Sequence, residues 1–331
     1  MTMLKAEYQQ LGPVPQDVIH AVPLELPPPE AGQVLVAMLA SPINPSNLLM
    51  LTGEYGVLPP LPAIGGSEGV GRVAVLGPGV ADLSVGQLVL LPRGGGTWVT
   101  HLLADARALV PLPHGADPLQ LSMLTVNPPT ASLMLSEFVS LASGDWVIQN
   151  AANSAVGGYV MQLAKQRGFR TVNLVRREAA VAGTEEQGGD VVLVDGKDIA
   201  QRVREATGGA PIRLGIDAVS GAATERLAQC LSSGATLVNY GVLSGEACRV
   251  APSHFIFRDL TLKGFWLVKW FREASREAQR ALYADLTNGV ANGTLHARIR
   301  ATYPVASVRE AVAAAAAGER DGKILITGAA T

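Results

Sequence analysis

From about residue 117 onward, short runs of branched apolar residues alternate with helical stretches, and this alternation restricts the fold more than any other feature of the chain. Runs at 145–149, 170–175, 190–194, 214–219, 235–240 and 260–264 read as strands. A helical stretch at 155–167 and others like it separate them. Parallel strands joined by helices are buried on both faces, so their sequences run apolar rather than alternating. The pattern predicts a doubly wound parallel sheet covered on both faces.

The preceding third is different. It is rich in Pro and Gly, with short strand-like runs at 33–39, 71–76 and 87–91. Turn signals fall at Gly77-Pro78-Gly79 and Arg93-Gly94-Gly95-Gly96. Such spacing predicts a compact all-β unit. Segments 118–124 and 129–138 read as helical, 313–317 continues a helix, and 323–327 reads as a last strand that returns to the first unit. A length of 331 residues suits two domains.

Composition excludes several classes of function. With 48% hydrophobic and 16% charged residues the chain is globular rather than disordered. A net charge of −2 gives no general affinity for nucleic acid. No apolar run approaches the ~18 residues of a membrane span. The N-terminal residues carry neither an apolar signal core nor a basic amphipathic leader, so the default expectation is a cytoplasmic protein. Cys230 and Cys248 are the only cysteines, which fits a reducing compartment.

Between the first strand and helix of the alternating region lies Gln149-Asn150-Ala151-Ala152-Asn153-Ser154-Ala155-Val156-Gly157-Gly158. Small residues there let backbone approach a pyrophosphate, and the helix N-terminus offers free N–H groups and a favourable dipole. Asn153 and Ala155 stand where a stricter glycine fingerprint would have Gly, so a tight turn without a ligand is the alternative. The second strand ends in Arg176 and Arg177. An NAD enzyme places an acid there for the ribose hydroxyls. Two guanidinium groups would instead attract the 2′-phosphate of NADPH. Solvated surface arginines are the alternative.

The chain cannot build a four-thiolate zinc site from two cysteines. Its five histidines, His20, His101, His114, His254 and His296, show no paired metal-ligand spacing. No Walker loop and no Ser-His-Asp spacing is found. The expectation is therefore no metal.

Several motifs occur in one order along the whole chain. They are Ser41-Pro42-Ile43-Asn44-Pro45-Ser46-Asn47, Gly53-Glu54-Tyr55-Gly56, Leu61-Pro62-Ala63, Gly65-Gly66-Ser67-Glu68-Gly69-Val70-Gly71 and Gly96-Thr97-Trp98. Asn127-Pro128-Pro129-Thr130-Ala131, the 144–157 segment and Phe265-Trp266-Leu267 follow. In this set the chain resembles the zinc-independent medium-chain dehydrogenase/reductases, and among them the 2-enoyl thioester reductases. Zinc-dependent relatives carry Cys near Asn44 and His near Ser67. The resemblance implies an α/β protein: a GroES-like β-barrel catalytic domain (1–118 and 270–331), an inserted Rossmann NADPH-binding domain (119–269), and a cleft between them.

It also implies roles. Tyr55 matches the catalytic tyrosine. Hydride from NADPH would reach the β-carbon of an enoyl thioester, and a neutral phenol could stabilise the resulting enolate or pass a proton to the α-carbon. A packed loop aromatic is the alternative. Asn127 resembles an asparagine near the nicotinamide, where a helix cap is the other reading. Asn153, Ser154, Ala155 and Val156 match the pyrophosphate loop. Tyr240, Gly241, Val242 and Leu243 match backbone beside the nicotinamide half. Phe265, Trp266, Leu267 and Val268 would line the cofactor cleft, with core or dimer interface as the alternative. Lys323 matches a lysine near the cofactor, or is a solvated edge lysine. Relatives often have Arg at Val99, Asp at Asn47 and Asn at Ser67. The implied substrate is an acyl thioester of CoA or acyl-carrier protein, and the implied assembly a homodimer. Quinone or other enone reduction by a zinc-free cousin remains open, as does a nucleotide-binding regulatory or RNA-binding protein without turnover, which the net charge disfavours.

Overall fold

The computed structural model describes residues 2–92, 94–318 and 321–328. Arg93, which opens the expected glycine turn, lies outside them. The chain forms two compact units: Met1–Val126 with Ala284–Thr331, and Asn127–Tyr283.

In the first unit, Gln33–Pro42 is the central strand. Alternate residues Val34, Val36 and Met38 are buried, as period-two side chains on a half-buried sheet should be. It pairs antiparallel with Val70–Leu76, with His101–Asp105 and with the C-terminal Lys323–Thr327. The last strand therefore returns to the first unit, and Ile299–Pro304 lies parallel beside it. Leu4–Tyr8 pairs with Ile19–Pro23 and Ala63–Ile64 in a smaller sheet. Trp98, Tyr8, Ile19 and Ile43 are buried in the core beside Val308, Ala311, Val312 and Ala315 of the helix Val308–Ala316.

The second unit is built on a six-stranded sheet whose paired strands are all parallel. The order is Val191–Val194, Arg170–Val175, Trp146–Gln149, Ile212–Asp217, Thr236–Asn239, Thr261–Gly264. The chain reverses its direction of progress between the third and fourth of these, which is the switch point where open α/β sheets take ligands. Trp146, Ile148, Val172, Leu174, Leu227 and Leu237 form its core.

The division between units falls at Val126 and Tyr283, not at 118 and 269. Long-range bonds explain the first shift. The Gln120 amide exchanges two hydrogen bonds with the Ala297 backbone, at 3.0 and 2.9 Å, holding the helix Pro118–Leu121 in the first unit. At the other end Phe271 stacks on Tyr283, with centroids 5.8 Å apart, keeping residues 270–283 with the second. The helix expected at 129–138 spans Asn127–Met134. Pro128 and Pro129 sit in its first turn, where no amide partner is required.

Candidate active site

The cofactor-binding candidates of the second unit gather at one edge of its sheet. Asn153, Ser154, Ala155 and Val156 follow the strand Trp146–Gln149, and Arg176 and Arg177 follow Arg170–Val175. Tyr240, Gly241, Val242 and Leu243 follow Thr236–Asn239, and Phe265, Trp266, Leu267 and Val268 follow Thr261–Gly264. All four groups lie at carboxyl ends of parallel strands, the side on which such sheets bind ligands.

The loop is shaped for close approach. Ser154 caps the helix Ala155–Gln166, its Oγ accepting from the Gly157 amide at 3.1 Å. Ala151 holds φ +47°, and Ala152 is fully buried. A Cβ at Gly157 would lie 2.3 Å from the Ala152 carbonyl oxygen, so only glycine lets the helix start against this turn. Asn153, Ser154, Ala155 and Val156 are partly exposed. Arg176 is exposed and Arg177 half-buried. These features fit a dinucleotide: a helix N-terminus for the pyrophosphate and two guanidinium groups for a further phosphate.

A residue that sequence reasoning passed over organises this edge. Asp217 is fully buried. Its carboxylate accepts from Asn150 Nδ2 (2.6 Å), Thr224 Oγ1 (2.7 Å), the Val219 and Ser220 amides (2.9 and 3.0 Å) and Asn239 Nδ2 (3.3 Å). It thereby ties together the ends of three strands. The Tyr240 hydroxyl shares a hydrogen bond with Ser154, and burial holds its pKa well above the ordinary phenol value. Val242 and Leu243 are exposed. Phe265 meets Phe138 edge-on at 6.0 Å, and Trp266 lies under the Arg272 guanidinium at 5.4 Å. Leu267 opens the helix Leu267–Glu273, on which Val268 is exposed. Asn127, buried, is the first residue of its helix.

Tyr55 and Lys323 belong to the first unit. The helix Pro45–Thr52 ends at Gly53, whose φ of +83° turns the chain in the left-handed region glycine favours. The amides of Glu54 and Tyr55 both donate to Leu49 O, at 2.9 and 3.2 Å, so Tyr55 is fixed to the helix end and its side chain is half-buried. Lys323 is buried rather than a solvated edge residue. Its ammonium donates to Ile43 O at 2.9 Å and to Asn44 Oδ1. Asn44 Nδ2 in turn donates to Glu68 Oε1 at 2.7 Å. Burial pushes the Glu68 carboxyl up to about 7, against the opposing hydrogen bond from Asn44 and the charge of Lys323. Val99 is a core residue, 2% exposed.

Two family descriptions match the chain: the alcohol dehydrogenase GroES-like domain over residues 30–114, and the zinc-binding dehydrogenase domain over 155–283. Fold and site together thus define a medium-chain dehydrogenase/reductase. The mitochondrial enoyl-(acyl-carrier-protein) reductase of Rattus norvegicus is 36% identical over 306 residues, covering 91% of this chain and 82% of its own. The chain belongs to the enoyl-(acyl-carrier-protein) reductase family. Among solved structures, the Etr1p complex with NADP and crotonyl-CoA superposes with a TM-score of 0.88 at 25% identity, covering 99% of this chain and 100% of the other. A Bacillus thuringiensis protein provisionally assigned as an NADPH:quinone reductase gives 0.88 at 29% identity, covering 99% of each chain.

One expectation is overturned. The rat relative is a mitochondrial protein, against the cytoplasmic default read from the sequence. That default was drawn from the N-terminal residues, and the two cysteines, which suit any reducing compartment, could not choose between them.

One matching description names zinc, but the residues do not fit it. Asn44 and Ser67 offer an amide and a hydroxyl in place of thiolate and imidazole. Both are engaged: Asn47 Nδ2 donates to Ser67 Oγ at 3.1 Å, and Asn44 bridges Lys323 and Glu68. Among the described residues no group of three or more His, Cys, Asp or Glu side chains could hold a metal ion. Among them, too, no helix is long and apolar enough to cross a membrane.

Proposed function

We propose that this protein reduces the C2=C3 double bond of 2-enoyl thioesters with NADPH, adding hydride at C3 and a proton at C2. The thioester is carried on CoA or acyl-carrier protein. The observation that carries this reading is the carboxyl-edge cradle of Asn153 to Gly157 with Arg176 and Arg177, in a chain of the enoyl reductase family.

The residues divide the work as follows. Arg176 and Arg177 bind the 2′-phosphate, and the Ala155–Gln166 helix start takes the pyrophosphate. Asn127, Tyr240 to Leu243, Phe265 to Val268 and Lys323 orient the reduced cofactor and shape its surroundings. Bound NADPH supplies the hydride. Tyr55, held by the capped end of its helix, presents its phenol to the thioester oxygen as enolate charge develops there. It donates the hydrogen bond, or passes its proton to C2.

Quinone reduction is the second reading, favoured by the 29% identical Bacillus thuringiensis structure. Crotonyl-CoA and a benzoquinone, each with NADPH and with NADH, separate the two. Activity on the quinone alone rejects the thioester reading.

The protein acts as a homodimer in this proposal. Thr261–Gly264 ends the strand order of the second unit, and the neighbouring Phe255, Ile256 and Phe257 are 40%, 70% and 81% exposed. An apolar patch beside an open strand edge suits a second copy. Sedimentation of a monomer at micromolar concentration would reject it.

A further inference from the structure

Glu68 is fully buried, and every side-chain bond it makes leads toward a candidate site residue. Its Oε1 accepts from Asn44 Nδ2 at 2.7 Å. Asn44 is the N-cap residue of the helix whose far end fixes Tyr55. The other carboxylate oxygen of Glu68, Oε2, accepts from the Thr125 and Val126 amides, at 3.0 and 2.9 Å. The next residue along the chain is Asn127. The Glu68 carbonyl is held as well, by Ser41 Oγ at 2.6 Å and Thr97 Oγ1 at 3.0 Å. The carboxylate is thus anchored at its own backbone and reaches two separate stretches of chain.

We infer that Glu68 is a positioning residue for the reduction, setting through Asn44 the helix that carries Tyr55 and through two amides the backbone that enters Asn127. This rests on the proposed enoyl reduction. Three N–H donors converge on two carboxylate oxygens, an arrangement only an acceptor can satisfy. A group serving packing alone would be better apolar, since a buried charge is costly unless it is hydrogen-bonded and paired. Here the pairing cation is Lys323, one amide away: its Nζ donates to Asn44 Oδ1 while Asn44 Nδ2 donates to Glu68. The order ammonium, amide, carboxylate fixes which way Asn44 faces. An error of about 1 Å in a positioned group can cost ~10²-fold in rate.

The polarity of that chain supplies a test that loss of packing cannot mimic. In Glu68→Gln, the amide oxygen can still serve Thr125 and Val126, but its NH2 then meets the Asn44 NH2. Turning Asn44 over moves the conflict to the Lys323 ammonium. Adding Asn44→Asp removes it, because a carboxylate at position 44 accepts both from the new amide at position 68 and from the Lys323 ammonium. Glu68→Gln should lower kcat with crotonyl-CoA at least 10-fold while the NADPH Kd stays within 3-fold. The double variant should recover to within 3-fold of wild-type kcat. A single variant with kcat within 2-fold of wild type, or a double variant no better than the single, overturns the inference. If the single variant does not fold, the double variant decides alone: near-wild-type kcat supports the inference and an inactive folded protein overturns it. Ratios are taken with whichever acceptor the wild type reduces, so a wild type inactive on crotonyl-CoA counts against the thioester reading and not against the role of Glu68.

Discussion

Replacing Gly157 with Ala should weaken both the second unit and its hold on NADPH. The added Cβ would lie 2.3 Å from the Ala152 oxygen, 2.7 Å from its carbonyl carbon and 2.8 Å from its Cα. All three are backbone atoms, and Ala152 cannot yield easily: it is fully buried and its amide donates to Leu174 O at 3.1 Å. Overpacking of this kind costs about 1–3 kcal/mol. The intrinsic helix gain of Gly to Ala, up to about 1 kcal/mol, works the other way. Set against a gain of about 1 kcal/mol, the overpacking leaves a loss of up to about 2 kcal/mol, or up to roughly 8 °C in Tm for a domain of this size class. Displacing the helix start should also raise the NADPH Kd about 10-fold, some 1.4 kcal/mol. Gly158→Ala is the control. There the close neighbour is Gln187 Oε1 at 2.7 Å, the end of a side chain that can swing aside. Thermal melts and NADPH fluorescence titrations of both variants decide the matter. A Gly157→Ala protein as stable as wild type, with unchanged NADPH affinity, would show that the helix start does not need glycine here.

Other expectations follow from the same geometry. Tyr55→Phe should lower kcat by about 10²–10⁴-fold if the phenol donates a proton, with NADPH binding intact by titration; near-normal turnover removes that role. Arg176→Ala with Arg177→Ala should raise the KM for NADPH about 10–100-fold and leave that for NADH nearly unchanged, as lost charged hydrogen bonds require, discounted for the exposure of Arg176; equal effects on both cofactors contradict it. Glu68 gives a pH signature in stability. Its folded pKa of about 7 lies above the ordinary carboxylate value, with Lys323 as the charge facing it. Its contribution is full below the unfolded pKa and is lost as pH rises toward 7, because the unfolded chain releases a proton that the folded one keeps. The Tm of wild type should therefore fall relative to that of Glu68→Gln between about pH 4.5 and 7, whereas parallel curves would contradict the assignment.

What could be read from the sequence was what is local. Arg170–Val175 and Lys323–Thr327 stand at the residues expected because each is an apolar run bounded by turn or charged residues. Ala63–Ile64 and Val110–Pro111 are two-residue strands, too short to leave a period. The loop at Asn153 and the two arginines can be picked out from the sequence because each is marked by its place directly after a strand. The Glu68, Asn44 and Lys323 network was not, since its partners lie 24 and 279 residues apart and only the fold brings them together. Asp217 was hidden for the same reason: a strand-end acid looks like any other until five donors are found around it. The domain limits slipped because hydrogen bonds from Gln120 and stacking of Phe271, rather than composition, decide which unit those segments join.

In the proposed reaction hydride goes to C3 of an enoyl thioester and a proton to C2. This is tested most directly by reducing crotonyl-CoA with NADPH carrying deuterium at the transferable position. The expected product is butyryl-CoA with deuterium at C3 and a solvent-derived hydrogen at C2. Deuterium absent from C3, or no turnover of crotonyl-CoA while a quinone is reduced, would contradict it.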